Sequence, residues 1–407
     1  MSRAAKRLPA VWLIGAGTAF SLLGDQALYS TLPVYFDDLG LRAIEVGILL
    51  SANRWIRLFT NQVAHRLLER ADQRLLFAAA AVLGAITTAV YAITPGFALF
   101  LLARMAWGLS WSFIRHLGTL TVLEASADGS AGRSAGLLGG ISRTGSIGGL
   151  LGGAMLVDWL GFGPALGILA LISLIAVPLV WVGFVPVTGV SRSAAVAEGG
   201  SIDVSRVLGF THGMVGAGLV IGTLGAVLDE RLTANGWWSA ATLTGAVLAV
   251  RFLLESVAAP LLGAVSDHHG VRSAATGFFG LGAVSLLVAI LSPSLALLVV
   301  GIVAFFVSGT ALGAGLVGSA AQRGSRSLAS YVTAADLGAA AGPLLGWIAL
   351  DVFDERRIGL ALGAVLYGVS AMIALRYLND EDSVAEAIDS TMSAAHHDER
   401  AEPNDAG

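Results

Sequence analysis

The 407-residue chain contains no cysteine. That excludes disulfides, thiolate metal sites and cysteine nucleophiles, and it leaves the redox compartment open. Charge is scarce as well: 13% of the residues are Asp, Glu, Lys or Arg, about half of the roughly 25% of a water-soluble domain. A soluble enzyme does not fit that composition. Lysine is nearly missing, since Lys6 is the only one among 24 cationic residues. With a net charge of −4 and no basic patch, no nucleic-acid partner is expected. There is no H-E-x-x-H pair and no glycine-rich nucleotide loop, so zinc chemistry and ATP use are not expected either. His396 and His397 stand in an acidic tail and read as an ordinary solvated pair. The expectation is therefore no enzyme activity, no cofactor and no metal.

What is abundant is apolar surface and glycine. Hydrophobic residues make up 56% of the chain, with 52 glycines spread through them. The stretches Leu75–Ala103, Trp159–Ser191 and Ser273–Gln322 carry no charge at all, and the last is long enough to cross a bilayer twice, with Ser292-Pro293-Ser294 at its turn. A span needs about 20 apolar residues. The runs and turn residues predict an all-α polytopic membrane protein of twelve helices, near 10–35, 43–64, 75–94, 97–121, 134–157, 162–184, 207–228, 236–265, 273–291, 295–320, 327–350 and 357–378. Fourteen Lys or Arg fall on the side of the termini, against Arg42, Arg231, Arg356 and Arg357 opposite. That bias makes both termini cytoplasmic, with Trp237 and Trp238 at the opposite interface.

The domain reading follows from composition: 1–190 as a first six-helix bundle, 191–206 as a cytoplasmic linker, 207–378 as a second bundle and 379–407 as a disordered acidic tail. Internal similarity supports two related halves. Gly263, Asp267, Gly270 and Arg272 form G-x-x-x-D-x-x-G-x-R after helix 8, and the corresponding place after helix 2 carries Glu69 and Arg70. Helix 5 has Gly145, Gly149 and Gly153, and helix 11 has Gly338, Gly342 and Gly346 at the same spacing. Close helix packing accounts for such rows.

An ionisable side chain within a span costs about 2.5–3.5 kcal/mol on insertion scales. This chain has Asp25, Arg54, Arg57, Arg104, Arg115, Arg143, Arg251, Glu255 and Asp336 there. Arg54 and Arg57, three apart, share a face that should point inward. Aligned by the loop motif, Arg57 corresponds to Glu255; aligned by the glycine rows, Arg143 corresponds to Asp336. Tyr29, Trp107 and Trp111 are the aromatics best placed to line a cavity with these groups. His116 and His212, alone on apolar helices, read as packed histidines.

Twelve spans, the central hydrophilic linker, the G-x-x-x-D loop, the glycine rows and Arg104-x-x-x-Gly108 in helix 4 together resemble the major facilitator superfamily of secondary transporters, over residues 10–378. The resemblance implies a small-molecule substrate moved by alternating access in a bacterial-type inner membrane, by a monomer embedded in lipid. Proton-coupled efflux is the expected direction, with Asp25 and Arg104 as the coupling pair and with Arg54, Arg57, Tyr29, Trp107 and Trp111 in the cavity. It also implies that helix 2 lies beside helix 11 and helix 5 beside helix 8. Arg57 would then meet Asp336, and Arg143 would meet Glu255, as a cytoplasmic gate closed while the outer side is open. The loop residues Gly263, Asp267, Gly270, Arg272, Glu69 and Arg70 would belong to the same gating end. Loss of one partner of such a buried pair is expected to cost about 3–5 kcal/mol. Static ion pairs, uptake of an anionic metabolite through an Arg-lined cavity, and a scaffold or sensor without transport are the alternatives.

Overall fold

In lipid a backbone has no water to satisfy its polar groups, so each apolar run closes its own hydrogen bonds as a helix. The computed structural model describes residues 7–68, 71–93, 96–126, 130–187, 204–232 and 239–378, and among these residues there are helices and turns but no strand. Twelve rods follow one another. The first four are α1 (Arg7–Tyr35), α2 (Ala43–Leu68), α3 (Gln73–Ala92) and α4 (Phe97–Ala125). Next come α5, built of Ala131–Ile147, a π-helical turn at Gly148–Gly152 and Gly153–Leu160, and α6 (Phe162–Gly183). The second set opens with α7, whose parts are Val204–His212, a π-helical stretch Gly213–Val220 and Ile221–Arg231, and α8, whose parts are Ala240–Val257 and Ala259–His269. It continues with α9 (Val271–Leu291), α10 (Leu295–Gln322), α11 (Ser325–Phe353) and α12 (Ile358–Tyr377). No end differs from its expected position by more than four residues. Residues 191–203 of the expected linker and the tail beyond 378, with Trp237, Trp238, Glu69 and Arg70, lie outside the described residues, and Val204–Arg206, expected in the linker, already belong to α7.

Two rods are broken where apolarity gave no warning. The helix of α6 lapses into a turn at Leu174 and Ile175, because Pro178 supplies no N–H to the carbonyl of Leu174. In α8 the break falls at Ala258, and Pro260 sits in the first turn of the second piece, where its missing N–H is not needed. Among the described residues, nine helices are long and apolar enough to cross a membrane on their own composition. The three rods outside that set, α1, α2 and α5, carry Asp25, Arg54 with Arg57, and Arg143.

The two glycine rows do the same job in each half. A Cβ on Gly145 would stand 2.1 Å from the Ala19 carbonyl oxygen of α1, and Gly149 and Gly153 face Leu23 and Ala27 of the same helix. In the second half a Cβ on Gly338 would stand 2.0 Å from the Phe210 oxygen of α7, with Gly342 against Met214 and Gly346 against Thr223. Thus α5 lies on α1 as α11 lies on α7. With so little side chain between them, backbones approach closely enough for dispersion to replace the hydrophobic effect that lipid cannot supply. Between the halves, α2 packs on α11, α5 on α8 and α1 on α7. One apolar core, containing Leu28, Leu49, Val227 and Trp347, runs through both halves. A second, around Phe77, Ile114 and Val180, belongs to the first half alone.

Candidate substrate cavity and its charged surround

The end of the bundle at which α1 begins and α12 ends is called proximal, and the opposite end distal. At the distal end both seams between the halves are sealed by direct contact. In the α2–α11 seam, Gly47 is small enough to admit the Cβ of Trp347, and the Leu344 amide donates to Ser51 Oγ at 3.1 Å. Trp347 is fully buried and its indole N–H donates to the Gly222 carbonyl of α7 at 2.7 Å. In the α5–α8 seam, Gly245 lies on the Leu150 carbonyl, and Asp158 of α5 accepts hydrogen bonds from Ser239 and Thr242 of the other half and from Tyr35 at 2.6 Å. Towards the proximal end both seams part. Asn61 on α2 and Ala329 and Thr333 on α11 are exposed, and Gly136, Gly139 and Gly140 of α5 have no atom within 4 Å of where a Cβ would be.

Where the seams part, a cavity of about 250 Å³ opens between α1, α2, α5, α7, α8 and α11. Its polar wall is Gln26, Tyr29, Arg54, Arg57, Arg251 and Asp336; Leu150, Ile221, Leu248 and Phe252 supply apolar surface. Tyr29, Arg54 and Arg57 thus stand where the sequence placed them. Trp107 and Trp111 do not. Trp107 is buried against α3, where Gly84 leaves room for its ring, and Trp111 stacks on it at 6.2 Å between centroids. Their four-residue spacing set them on one face of α4 with Arg104, but that spacing cannot tell a cavity-facing stripe from a stripe packed on α3.

The structure brings both expected cross-half pairs together. Arg57 Nη2 lies 3.8 Å from Asp336 Oδ1, and Arg143 Nη2 lies 3.6 Å from Glu255 Oε2. Glu255 is also held by Arg251, one helical turn away on α8, at 2.9 Å. Two expectations change. The pairs are formed while the distal end is sealed and the proximal seams are parted, so they stand at the roof of an open cavity and do not close its mouth. Nor are they deeply buried, because 40% of the Asp336 side chain and 38% of the Arg143 side chain are exposed. The 3–5 kcal/mol of a buried pair therefore does not apply to them. A double-mutant cycle of Arg57→Ala with Asp336→Ala, followed by chemical unfolding of the purified protein, is expected to give a coupling of about 0.2–1 kcal/mol. A coupling near 3 kcal/mol would show a water-excluded clamp instead.

Asp25 and Arg104 form a different kind of pair, with 4% and 0% of their side chains exposed. Arg104 Nη1 donates to Asp25 Oδ1, and its Nε donates to the Leu49 carbonyl of α2 at 2.9 Å. Asn53 Nδ2 donates to the same carboxylate oxygen at 3.3 Å and Gln26 Nε2 to the other at 3.1 Å. Arg104 Nη2 and Asn53 Oδ1, a donor and an acceptor in this cluster, have no partner. Gln26 and Tyr29 belong to both the cluster and the cavity wall: Gln26 bonds Asp25, and Asn53 Nδ2 lies 3.4 Å from the Tyr29 hydroxyl. The Tyr29 ring has the guanidinium carbons of Arg104 and of Arg54 each 5.7 Å from its centroid, a geometry in which cation and ring attract. Asn53 and Gln26, amides next to arginines on α2 and beside Asp25 on α1, were legible as partners and were missed; Arg251 stood among the charges of the spans, but its place on the cavity wall was not foreseen.

The G-x-x-x-D loop lies at the proximal end, within the second half. Gly270, at φ 79°, makes the turn from α8 into α9. Gly263 faces Ala314 of α10, and Arg272 Nε donates to the Leu375 carbonyl of α12 at 2.8 Å. Asp267 is exposed. His212 is packed as expected, 3.4 Å from the Tyr367 hydroxyl. No group of three or more His, Asp or Glu that could hold a metal ion occurs among the described residues.

No protein-family model matches the chain. Among curated proteins it is 24% identical over 155 residues to the quinolone resistance protein NorA of Staphylococcus aureus, a match that spans 37% of this chain and 40% of that protein's length. Solved structures match far more of it. A bacterial homologue of the human lysosomal transporter Spinster, in an inward-facing and unoccupied conformation, superposes with a TM-score of 0.74 at 12% identity, over 91% of this chain and 96% of that one. The nucleoside transporter NupG gives 0.72 at 12% identity over 93% and 100%, and the POT family transporter PepTSo gives 0.71 at 12% over 91% and 97%. Twelve rods in the same arrangement over nine-tenths of the residues give this chain the fold of the major facilitator superfamily of transporters.

Proposed function

We propose that the chain is a secondary active transporter of a bacterial-type inner membrane, exporting a small organic solute by alternating access in exchange for protons. The observation that carries this reading is the pair of half-to-half seams, sealed distally and parted proximally around one mid-bundle cavity. A rocking of the halves that opens the distal contacts and closes the proximal ones exposes the same cavity to the other side. The arginine bias places the proximal end in the cytoplasm, so this state is the inward-open one. A resistance protein among the relatives accords with export.

Asp25 and Arg104 are the coupling pair in this reading. A buried carboxylate is held ionised by its arginine and driven towards protonation when that partner withdraws, and Tyr29 links Arg104 to the cavity through Arg54. Substrate at Arg54 and a proton at Asp25 thus act on one ring. Arg57–Asp336 and Arg143–Glu255 act as gating contacts at the level where the sealed seam ends. The chain works as a monomer.

Reconstitution into proteoliposomes with an imposed pH gradient tests the reading against a panel of organic compounds. Gradient-driven accumulation is expected in vesicles whose lumen is acidic and faces the distal end. Absence of flux for every compound would favour a scaffold or sensor; accumulation in the opposite sense would make the protein an importer.

A further inference from the structure

We propose that the cavity selects a small organic anion, with a carboxylate or phosphate head and an apolar body, and that Arg54 is the residue that selects it; this rests on the reading of the cavity as a transport site. Four guanidinium groups, those of Arg54, Arg57, Arg143 and Arg251, stand on or beside the cavity against two carboxylates. Both carboxylates are taken. Asp336 faces Arg57 at 3.8 Å, and Glu255 faces Arg251 at 2.9 Å and Arg143 at 3.6 Å. Among the described residues neither of them pairs with Arg54. Its Nη1 donates instead to two backbone carbonyls of the other half, Ala217 at 2.7 Å and Ala339 at 2.5 Å.

Those carbonyls orient the guanidinium without cancelling its charge. The carbonyl of Ala339 is free to accept because the residue four positions on, inside α11, is Pro343, which has no N–H to give it. The carbonyl of Ala217 belongs to the π-helical stretch of α7. One nitrogen fixed by two acceptors sets the plane of the whole group. Nε and Nη2 then remain as the parallel fork that binds two oxygens of a carboxylate or phosphate. A preoriented, uncompensated cation in a cleft with apolar walls concentrates anions there. The apolar side chains of the same cavity, Leu150, Ile221, Leu248 and Phe252, fit a hydrocarbon body, and about 250 Å³ limits its size.

The test uses the full-length protein in detergent, with probes of one shape and different charge: benzoate and phenyl phosphate as anions, benzamide as the neutral analogue and benzamidinium as the cation. Binding is read from the shift in thermal unfolding and from tryptophan fluorescence. At least one anion is expected to bind more tightly than benzamide and benzamidinium, and to weaken with added NaCl. The better of the two anions identifies the head group. Arg54→Gln should weaken that binding by about 10- to 100-fold, and Arg54→Lys, which keeps the charge and loses the fork, should fall between. Benzamide or benzamidinium binding as tightly as the anions in the wild type would overturn the proposal, whether or not the Arg54 variants fold. So would no anion binding up to about 10 mM, well above the millimolar affinity of a weak transport site, or a folded Arg54→Gln with unchanged anion affinity. Anion binding without gradient-driven flux would leave the site standing and remove the transporter reading, whereas flux of cations or neutral compounds alone would do the reverse.

Discussion

Asp25→Asn is expected to destabilise the folded chain by about 3–5 kcal/mol, because it leaves Arg104 charged and without its counter-ion in a place that water does not reach. Arg104 has none of its side chain exposed, and its remaining hydrogen bond, to Leu49, carries no opposite charge. The loss should appear as an earlier midpoint in chemical unfolding of the purified protein. Adding Arg104→Gln removes the stranded charge and lets two amides bond each other, so the double variant should regain most of that stability. Gradient-driven transport should not return with it, since a pair of amides has no proton to exchange. An Asp25→Asn single variant that unfolds like the parent would show that the carboxylate bears no structural charge. A double variant that still accumulates substrate against a pH gradient would remove Asp25 from coupling.

The other large effect lies on α5, where one substitution is expected to have opposite outcomes six residues apart. Gly145→Ala places a methyl group 2.1 Å from the Ala19 carbonyl oxygen. The obstacle is backbone, so α1 and α5 must separate, and the cost should reach about 3 kcal/mol, the upper part of the range for overpacked sites. Gly139→Ala meets nothing within 4 Å. There the gain of up to about 1 kcal/mol in helix propensity should remain. Thermal unfolding of the two variants side by side separates the cases. Equal effects of either sign would mean that α5 does not lie on α1 as described.

Much of this arrangement could be read from residues alone. Long uncharged runs set the twelve rods, and the four-residue glycine rows pointed to close packing before their partners, α1 and α7, were known. Charge of opposite sign at repeat-equivalent positions, taken with the helix neighbours that the resemblance to the major facilitator superfamily implied, led to Arg57–Asp336 and Arg143–Glu255. What escaped was direction and depth. Helical spacing puts Arg104, Trp107 and Trp111 on one side of α4 without saying which neighbour that side meets. Asp158, two residues before the end of α5, looks like any polar group at a helix terminus, and only the approach of α8 makes it an acceptor for three hydroxyls. The partners of Arg54 are backbone carbonyls, which have no letter in a sequence; Pro343 was the one sign that a carbonyl four residues earlier would be left open.

The glycines of α5 also divide that rod into two mechanical parts. Gly145, Gly149 and Gly153 press against α1 over the distal half, whereas Gly132, Gly136, Gly139 and Gly140 of the proximal half have no atom within 4 Å of where a Cβ would be. Glycine loosens a helix wherever packing does not hold it. The rod is therefore seated backbone to backbone at one end and held only by side chains at the other, where Leu137 and Leu138 pack on the core of the first half and Ile141 meets Gly15 of α1. Its amides in the distal half exchange with solvent only when two helices part, whereas those of the more loosely packed proximal half open at lower cost. Motion at the proximal mouth can then be taken up by bending of α5 itself, while its seat on α1 keeps the geometry of the cavity roof.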